Sequence, residues 1–288
     1  DRRAQTTIQA SAAELPTPMR HLAPAAEAII TGLRGPESVL YDPEQDVYFI
    51  SNINGQMLSR DGNGFLSRVD AKTLAVEKKW VATGLDGPKG LAIAGDTLYV
   101  SDITAVRRFD RRTGAPKGEV RLPGATFIND LASDGRSIYA SDTGILTGPG
   151  TTFVETNTDA IWKITGDAVQ KIASGKELGH PNGLDFIGGK LWVVTFGSNK
   201  LYRLDGGKPA DAAELPWGQL DGLVHLADGS VVVSSWHGNE LFRGPAGGPF
   251  EPLLAGLDSP ADMGYDSKRQ RLLVPHPPGN QVTIHRVH

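Results

Sequence analysis

The sequence contains no cysteine, and this absence excludes several classes of protein. Without thiols there is no disulfide framework, no Cys-ligated zinc, no iron–sulfur cluster and no cysteine nucleophile. A chain of 288 residues can bury a core large enough to fold without such cross-links. The missing thiols leave oxygen as the main ligand chemistry for any metal site.

Long apolar runs and a strong net charge are missing as well. The longest unbroken apolar runs reach four residues, at 47–50, 91–94 and 191–194, so nothing in the sequence is long enough to span a bilayer. The 29 basic and 33 acidic residues give a formal charge of −4. A nucleic-acid partner would require a basic face, so no nucleic-acid partner is expected.

What the sequence does contain is glycine, at 35 of 288 positions, well above the usual proportion of about 7%. The glycines have no triplet period, which excludes collagen, and 39% of the residues are apolar, which excludes a disordered chain. A glycine-rich globular chain is expected to contain many tight turns.

Six segments share one pattern of a turn, a short alternating run, a Gly/Asp turn and a β-branched or aromatic run. They lie at 35–52, 87–102, 127–142, 180–196, 220–235 and 259–276. Each segment predicts a pair of strands joined by a hairpin. A third strand follows in most copies, and then a fourth that often ends in Ala/Thr-Gly-Leu, as at 76–85 and 251–257.

Equivalent positions in the six repeats are separated by 52, 40, 53, 39 and 40 residues; they are Glu37, Lys89, Asn129, Asn182, Asp221 and Ala261. A period of roughly 40–50 residues with four strands per repeat predicts an all-β fold, a six-bladed β-propeller with four-stranded antiparallel blades. The sixth repeat ends after its third strand. We expect the segment 26–33, AEAIITGL, to supply the missing strand and to close the ring.

These boundaries give a single propeller domain over 26–288, preceded by an extended arm over 1–25 that is Ala-rich and contains three prolines. The chain starts at Asp1 without Met, which is consistent with a removed initiator, a removed targeting segment such as an export signal, or a truncated sequence. A periplasmic or secreted protein is expected, with a cytoplasmic one as the alternative. A monomer is the expected state. Two longer loops, 53–64 and 143–159, both follow a second strand and should emerge on one face. There they could rim or cover the channel mouth, the alternative being that each is a tolerated insertion.

In a propeller, the side chain at the equivalent position of each blade's first strand is directed at the central axis. The six side chains at these positions should therefore converge. Glu37, Asn129, Asn182 and Asp221 then supply four oxygen ligands with a summed charge of −2. Two carboxylates in a narrow channel would repel each other unless a cation lay between them. Carboxylate and amide oxygens suit one divalent cation, with Ca²⁺ preferred and Mg²⁺, Mn²⁺ or Zn²⁺ as alternatives.

At these residues the chain resembles the SMP-30/gluconolactonase/regucalcin-like (LRE-like) propeller family and, more distantly, the diisopropylfluorophosphatase and paraoxonase propellers. The motifs are PES at Glu37, FIND at Asn129, PNGLDF at Asn182 and LDGL at Asp221, and the resemblance covers roughly residues 30–288. Each motif alone is an ordinary turn sequence, but the four occur in the family's order at one repeat position.

The resemblance implies a metal-dependent hydrolase of the lactonase or esterase type, a carboxylic-ester hydrolase, and more rarely a phosphotriesterase. The partner that it implies is a small-molecule substrate, a lactone or an ester. It also implies that Asp221 is the general base beside its role as a ligand, and that Asn129 contacts the metal directly or through water. The alternative is a non-catalytic propeller in which the cation fastens the blades and the loops bind a partner. A metal-free strictosidine-synthase-like propeller is disfavoured by the intact quartet.

Three further positions are candidates for the site. Phe127 stands where sugar-lactonase members often carry a basic substrate-binding residue, which favours a more apolar substrate. Asp130, beside Asn129, could hold a substrate hydroxyl or the metal-bound water. Lys89 could bind an anionic group or stabilise an oxyanion, or it could simply balance the charge of Glu37 or Asp221.

His276, at the end of the second strand of blade 6, is the best histidine candidate for proton transfer, the alternative being a hydrogen-bonded residue of the rim. Asn52, Asp102 and Asp142 recur at one position after the second strand, which indicates a repeated capping role. The five tryptophans are spread over the blades and are expected to pack in or between them.

Overall fold

The computed structural model describes residues 25–148 and 152–287. These ranges contain 26 β-strands and one 3-10 helix, Lys176–Leu178. Twenty-four of the strands form six four-stranded antiparallel sheets, one after another along the chain. The predicted six-bladed β-propeller is therefore confirmed. No helix in the described ranges is long and apolar enough to cross a membrane.

The first three blades are built in chain order from the innermost strand outwards. Blade 1 contains β2 (Pro36–Asp42), β3 (Val47–Asn52), β4 (Gly64–Asp70) and β5 (Val76–Leu85). Blade 2 contains β6 (Pro88–Ala94), β7 (Thr97–Asp102), β8 (Ala105–Asp110) and β9 (Pro116–Arg121). Blade 3 contains β10 (Ile128–Ser133), β11 (Ile138–Asp142), β14 (Ala160–Thr165) and β15 (Ala168–Ser174), with a separate hairpin of β12 (Ile145–Thr147) and β13 (Phe153–Glu155).

The other three blades repeat this plan, and the last one takes its outer strand from the start of the chain. Blade 4 contains β16 (Pro181–Ile187), β17 (Lys190–Thr195), β18 (Lys200–Asp205) and β19 (Lys208–Glu214). Blade 5 contains β20 (Leu220–His225), β21 (Val231–Ser235), β22 (Glu240–Gly244) and β23 (Glu251–Ala255). Blade 6 contains β24 (Gly264–Asp266), β25 (Arg271–His276), β26 (Gln281–Arg286) and β1 (Ala28–Ile30).

The ring is closed by the N-terminal strand, as the sequence predicts. β1 pairs antiparallel with β26, with Ile30 opposite Val282. The strand is shorter than the segment 26–33 that suggested it. Gly32 has a φ of 83°, which is incompatible with a continued strand. Residues 1–24 of the predicted arm lie outside the described residues.

The hydrophobic core is divided among the junctions between blades. Phe49 and Leu66 of blade 1, for example, pack with Leu98 and Val100 of blade 2. Six such clusters of buried apolar residues occur in the described part of the chain, one at each junction. Each blade is therefore buried on both faces, which explains why its second strand is an almost continuous apolar run.

A β-bulge interrupts the first strand of five blades at the same place. The register shifts lie between Pro36 and Val39, Pro88 and Leu91, Ile128 and Leu131, Pro181 and Leu184, and Leu220 and Leu223. In each case the channel-facing residue of the repeat lies inside the bulge. Because a bulge bends the strand locally, it can aim that one side chain away from the regular pleat.

In three of these five blades the backbone N–H group released by the bulge bonds to a serine of the second strand. Ser38 N donates to Ser51 Oγ at 3.0 Å, and Gly222 N donates to Ser234 Oγ at 2.7 Å. Asp130 N donates in the same way to Ser141 Oγ. The bulges are therefore supported by the sequence, because the serine recurs at the matching position of the neighbouring strand.

The predicted capping role of the residue after that serine is confirmed. Asp102 accepts hydrogen bonds from the backbone N–H groups of Asp86 and Gly87. Asp142 accepts them from Thr126 and Phe127. These carboxylates hold the turn that leads into the first strand of their own blade, directly before the channel-facing residue.

Candidate active site

The four predicted metal ligands lie on one cavity. Glu37, Asn129, Asn182 and Asp221 line a cavity of about 240 Å³ at the end of the channel where the first strands begin. All four are buried, with exposed fractions between 2% and 6%. Four blades thus bring together side chains that are up to 184 residues apart in the chain, from position 37 to position 221.

Asn182 is oriented by two hydrogen bonds from its amide nitrogen. Its Nδ2 donates to Leu220 O at 3.2 Å and to Asp221 Oδ1 at 3.0 Å. Its carbonyl oxygen Oδ1 is buried and has no hydrogen-bond partner. Leaving a buried oxygen unpaired costs about 1–3 kcal/mol. A ligand bound to this oxygen would remove that cost, so the amide is oriented to bind one.

Glu37 presents a second oxygen of the same kind. Its Oε2 is buried and also has no hydrogen-bond partner. The pKa of Glu37 is raised well above its ordinary value by burial and by the charges of Asp221 and Asp262, while Lys89 acts in the opposite direction. A buried carboxylate without a donor strongly favours either a proton or a bound cation.

Asp221 is destabilised in its charged form in the same way. Burial raises its pKa to about 7, opposed by Trp236 and by the amide of Asn182. The Trp236 indole N–H lies near enough to favour the charged carboxylate, but it makes no hydrogen bond of ordinary geometry. A divalent cation between Asp221 and Glu37 would offset the burial of both carboxylates.

Asn129 is fixed from behind by a threonine of its own blade. Its Nδ2 donates to Thr143 Oγ1 at 3.1 Å, and Thr143 Oγ1 in turn donates to Pro181 O of blade 4 at 2.9 Å. The amide nitrogen is thus engaged away from the other three ligands, which leaves the carbonyl oxygen as the free end of the side chain.

The donor set fits a hard cation of the calcium or magnesium type. Two carboxylates and two amides offer oxygen only, and the orphaned oxygens of Glu37 and Asn182 face the same cavity. No group of three or more His, Asp or Glu side chains suited to a metal occurs in the described residues. A site here would therefore depend on its two asparagines, with water completing the coordination.

Asp130 does not join these residues. It lines a different cavity of about 450 Å³ on the far side of the bulges, together with Asp185 and Asp262. Its Oδ2 accepts a hydrogen bond from Leu184 N at 2.7 Å, so it ties blade 3 to blade 4. Successive residues of a strand point to opposite sides, and the neighbour of Asn129 is therefore directed away from it.

The residue that follows each channel-facing residue generally contacts the neighbouring blade. A Cβ on Gly222 would lie 2.7 Å from Met263 N, and one on Gly90 would lie 2.5 Å from Asp130 Cα. In these two blades glycine is needed because the backbone of the next blade passes too close for a side chain. Asp130 occupies this same position in blade 3, which explains its structural contacts.

Lys89 is buried beside the cavity but does not line it. Its Nζ donates to Met57 O at 3.0 Å and to Gly87 O at 2.8 Å, and it lies 4.7 Å from the centroid of the Phe127 ring. Burial lowers its pKa to about 8, opposed first by the charge of Glu37. The geometry favours the charge-balancing role over direct contact with a substrate, whereas Phe127 does line the cavity.

His276 is also not brought to the cavity. Its Nδ1 hydrogen-bonds Asp258 O at 2.9 Å and its Nε2 hydrogen-bonds Thr283 Oγ1 at 2.8 Å. Burial lowers its pKa. With both ring nitrogens engaged, this histidine matches the structural alternative rather than the proton-transfer role.

Sequence reasoning missed a second ring of residues around the cavity. They directly follow the second strand of each blade and are Ile53, Ile103, Thr143, Phe196, Trp236 and Pro277. Four of them line the cavity, the exceptions being Ile103 and Thr143. The signal was available, because these residues share one repeat position.

Backbone hydrogen bonds hold this second ring beside the first. Phe196 N donates to His180 O at 2.8 Å, and Trp236 N donates to Gln219 O at 3.0 Å. In both blades the acceptor lies two residues before the channel-facing side chain. The aromatic ring is consequently placed next to the candidate ligand of its own blade.

Both long loops contribute to the cavity, which matches the first of the two interpretations given for them. Loop 53–64 contributes Ile53, Gly55 and Met57 to its lining, and loop 143–159 contributes Ile145 and Phe153. In the second loop these two residues belong to the hairpin of β12 and β13. Residues 149–151 of this loop lie outside the described residues. Both loops therefore form part of the wall above the four polar side chains.

Comparison with known proteins identifies the fold. No family model matches the sequence, and no curated protein matches it. A gluconolactonase from Xanthomonas campestris superposes with a TM-score of 0.66 at 19% identity, over 89% of this chain and 88% of that chain. A catalytically inactive virginiamycin B lyase from Staphylococcus aureus, with quinupristin, gives a TM-score of 0.61 at 14% identity, over 88% and 95%.

A third similar structure comes from a nidogen/laminin complex, with a TM-score of 0.58 at 15% identity, over 79% of this chain and 92% of that chain. At these identities the likeness concerns the propeller fold alone. The neighbours include enzymes as well as a member of a protein complex. A propeller by itself does not decide between these functions.

Proposed function

We propose that the protein is a divalent-metal-dependent hydrolase of the lactonase or esterase type, with its active site in the cavity at the channel mouth. The observation that carries this proposal is the pair of buried, unpartnered oxygens, Glu37 Oε2 and Asn182 Oδ1, on the same cavity as Asp221. The sequence resemblance to gluconolactonase-type propellers and the fold of a solved gluconolactonase support the same reaction class.

The proposed metal site consists of Glu37, Asn129, Asn182 and Asp221, with Ca²⁺ as the preferred ion. When bound, the cation supplies Lewis-acid chemistry by polarising an ester carbonyl and stabilising the negative charge that develops on its oxygen. The open cavity above the four side chains supports a catalytic rather than a closed structural site, because it leaves room for a substrate beside them.

In this mechanism Asp221 receives the proton of the attacking water. Its Oδ1 accepts the hydrogen bond from Asn182, so Oδ2 is the oxygen free to accept that proton. Burial raises the pKa of this carboxyl, and the bound cation would hold it ionised despite that burial, so that the carboxylate can act as the proton acceptor. Asn182 fixes the carboxylate, and the apolar residues of the wall limit the access of other water molecules.

A hydrolysis screen with and without metal tests the proposal. Protein stripped with a chelator and protein reloaded with Ca²⁺ or Mn²⁺ would be assayed on sugar, aliphatic and aromatic lactones, an aryl ester and a phosphotriester. Glu37→Gln and Asp221→Asn should lose the metal-dependent turnover, whereas Asp167→Asn, at an exposed position, should keep it. If neither metal removal nor either site substitution changes any turnover, the proposal is wrong.

The alternative function is a non-catalytic propeller that binds a ligand or a protein, with the cation fastening the blades. The likeness to a member of the nidogen/laminin complex is the observation that favours it. This alternative predicts that bound metal raises the melting temperature while no substrate of the screen is turned over.

A further inference from the structure

We propose that the cavity selects uncharged esters or lactones that carry one apolar group of about the size of a benzene ring. The selecting element is an aromatic wall made of Phe127, Phe153, Phe196 and Trp236, all of which line the cavity. The hydrolysis of such a compound rests on the proposed function, whereas its binding to the aromatic wall is tested separately.

The lining of the cavity divides into a polar floor and an apolar upper part. The floor consists of the four candidate ligands. The remaining described lining residues are the four of the aromatic wall together with Gly35, Ile53, Gly55, Met57, Ile145 and Pro277. Apart from the indole N–H of Trp236, these side chains offer no hydrogen-bonding group, so the upper part has little to bind the hydroxyls of a sugar acid.

Three rings of the aromatic wall form a continuous edge-to-face series. The centroids of Phe153 and Phe196 are 5.3 Å apart at 84°, and those of Phe196 and Trp236 are 6.0 Å apart at 85°. These distances and angles are in the preferred range for aromatic pairs. The rings come from three different blades, and their mutual contacts fix an apolar surface that another ring can join.

The size of the cavity limits the apolar group. Its volume is about 240 Å³. An apolar cavity of about 150 Å³ holds benzene, and pockets for drug-sized ligands have about 300–1,000 Å³. One aromatic ring with an ester or lactone group therefore fits within this cavity, and a second ring would extend beyond it.

The charges around the cavity exclude an anionic substrate. None of the described lining residues is Lys, Arg or His, and two are carboxylates. The nearby ammonium of Lys89 is directed at Met57 O and Gly87 O. A divalent cation would be balanced by Glu37 and Asp221, and the ammonium of Lys89 is held by backbone carbonyls, so no group of the lining is left to pair directly with a carboxylate or phosphate of the substrate.

Binding of two amides tests this inference without any turnover. Phenylacetamide is an uncharged aryl probe and gluconamide is a polyol probe, and calorimetry would measure their binding to the Ca²⁺-loaded and chelated protein. We expect phenylacetamide to bind at least about tenfold more tightly than gluconamide in both forms, because one ring is buried against the wall. Equal binding of the two amides, or tighter binding of gluconamide, would overturn the inference.

A matched pair of variants on the hairpin locates the binding surface. Phe153 is half-buried on the cavity, whereas its neighbour Val154 is 40% exposed on the other side of β13. Phe153→Ala should weaken phenylacetamide binding about tenfold and Phe153→Leu by less, while Val154→Ala should leave it unchanged. Unchanged binding in Phe153→Ala with an unaltered melting temperature would refute the role of the wall.

The two proposals fail in different ways. If phenylacetamide binds as described but no ester or lactone is hydrolysed with any metal, the proposed function is wrong and the selectivity of the wall stands. If sugar lactones are hydrolysed with metal and gluconamide binds more tightly, the reaction class stands and the substrate class is wrong.

Discussion

Replacing Asp221 with asparagine should change stability in opposite directions in the absence and presence of a divalent cation. In the metal-free protein the buried carboxylate destabilises the fold, because its pKa is raised from 3.8 to about 7. Asparagine removes the charge and keeps an oxygen that can accept the hydrogen bond from Asn182 Nδ2. The Asp221→Asn variant should therefore be more stable than the wild type in a chelator.

The size of this effect follows from the difference between the pKa of Asp221 in the folded and in the unfolded chain. A tenfold change in acidity corresponds to about 1.4 kcal/mol, so ionised Asp221 costs the folded state up to about 4 kcal/mol. A carboxyl with a raised pKa destabilises the fold progressively as the pH rises from its unfolded pKa, near 3.8, to its folded pKa, near 7. The advantage of Asp221→Asn should accordingly be largest near pH 8 and vanish near pH 4.

Adding the cation should reverse the order. A ligand at about 100 times its dissociation constant stabilises the folded state by about 2.7 kcal/mol. For a chain of this length that corresponds to a rise of about 4–5 °C in melting temperature. The wild type should gain this stabilisation, and Asp221→Asn should gain little because one charged ligand is lost.

Denaturant titrations near pH 8 and pH 4, each with chelator or with Ca²⁺, measure all of these effects. Asp266→Asn is the matched control, because this buried carboxylate is paired with Arg269 at 2.9 Å and accepts a hydrogen bond from Tyr48 at 2.6 Å. It should destabilise the protein with and without Ca²⁺. A loss of stability in chelated Asp221→Asn, or a full Ca²⁺ response in that variant, would refute the reasoning.

Three further predictions concern the scaffold. Ile30→Ala should lower stability by about 2–5 kcal/mol, because this buried residue belongs to the closing strand, and Ile29→Ala, 52% exposed, should change little. Gly222→Ala should destabilise the protein by about 1–3 kcal/mol, because the added Cβ meets the backbone of blade 6. Gly247→Ala, with open space around it, should be tolerated. Denaturation curves measure the isoleucine pair and the glycine pair alike. His225→Gln should lower stability by no more than about 1 kcal/mol below pH 6.5, and the loss should disappear as the pH rises through the His225 pKa, which Asp185 raises. A pH-independent difference would contradict the His225–Asp185 pairing.

The fold could be predicted from the sequence because the pattern of strands and turns repeats along the chain. The repeat of 39–53 residues placed Glu37, Asn129, Asn182 and Asp221 at one position, and the structure brings all four to one cavity. The closing strand was predictable for the same reason, because residues 26–33 resemble the outer strands of the other blades. The place of a residue within its repeat is read from the number of residues between repeats, and a single sequence is enough to count them.

The remaining parts of the site depend on contacts that spacing does not encode. The direction of Asp130 follows from its bond to Leu184 N of the next blade, and the role of His276 follows from Asp258 O and Thr283. The position of Lys89 depends on how a non-repeated loop brings Met57 O to it. Sequence reasoning about these three residues could place them near the channel but could not orient their side chains.

Phe196 and Trp236 are a different case, because their repeat position was visible in the sequence. Aromatic residues in a chain of blades are usually assigned to the packing between blades, and Trp162 and Trp192 do pack in that way. Trp236 instead lines the cavity. Comparing the residue after the second strand across all six repeats would have separated the two roles.

Titrating a divalent cation into chelated protein while following ester or lactone hydrolysis tests the central claim most directly. We expect turnover to rise from near zero and to stop rising at one cation per chain. Glu37→Gln, which removes one of the two charged ligands, should show neither the bound cation nor the turnover. Turnover that is equally high in chelated protein, or that persists unchanged in Glu37→Gln, would contradict the assignment of a metal-dependent hydrolase.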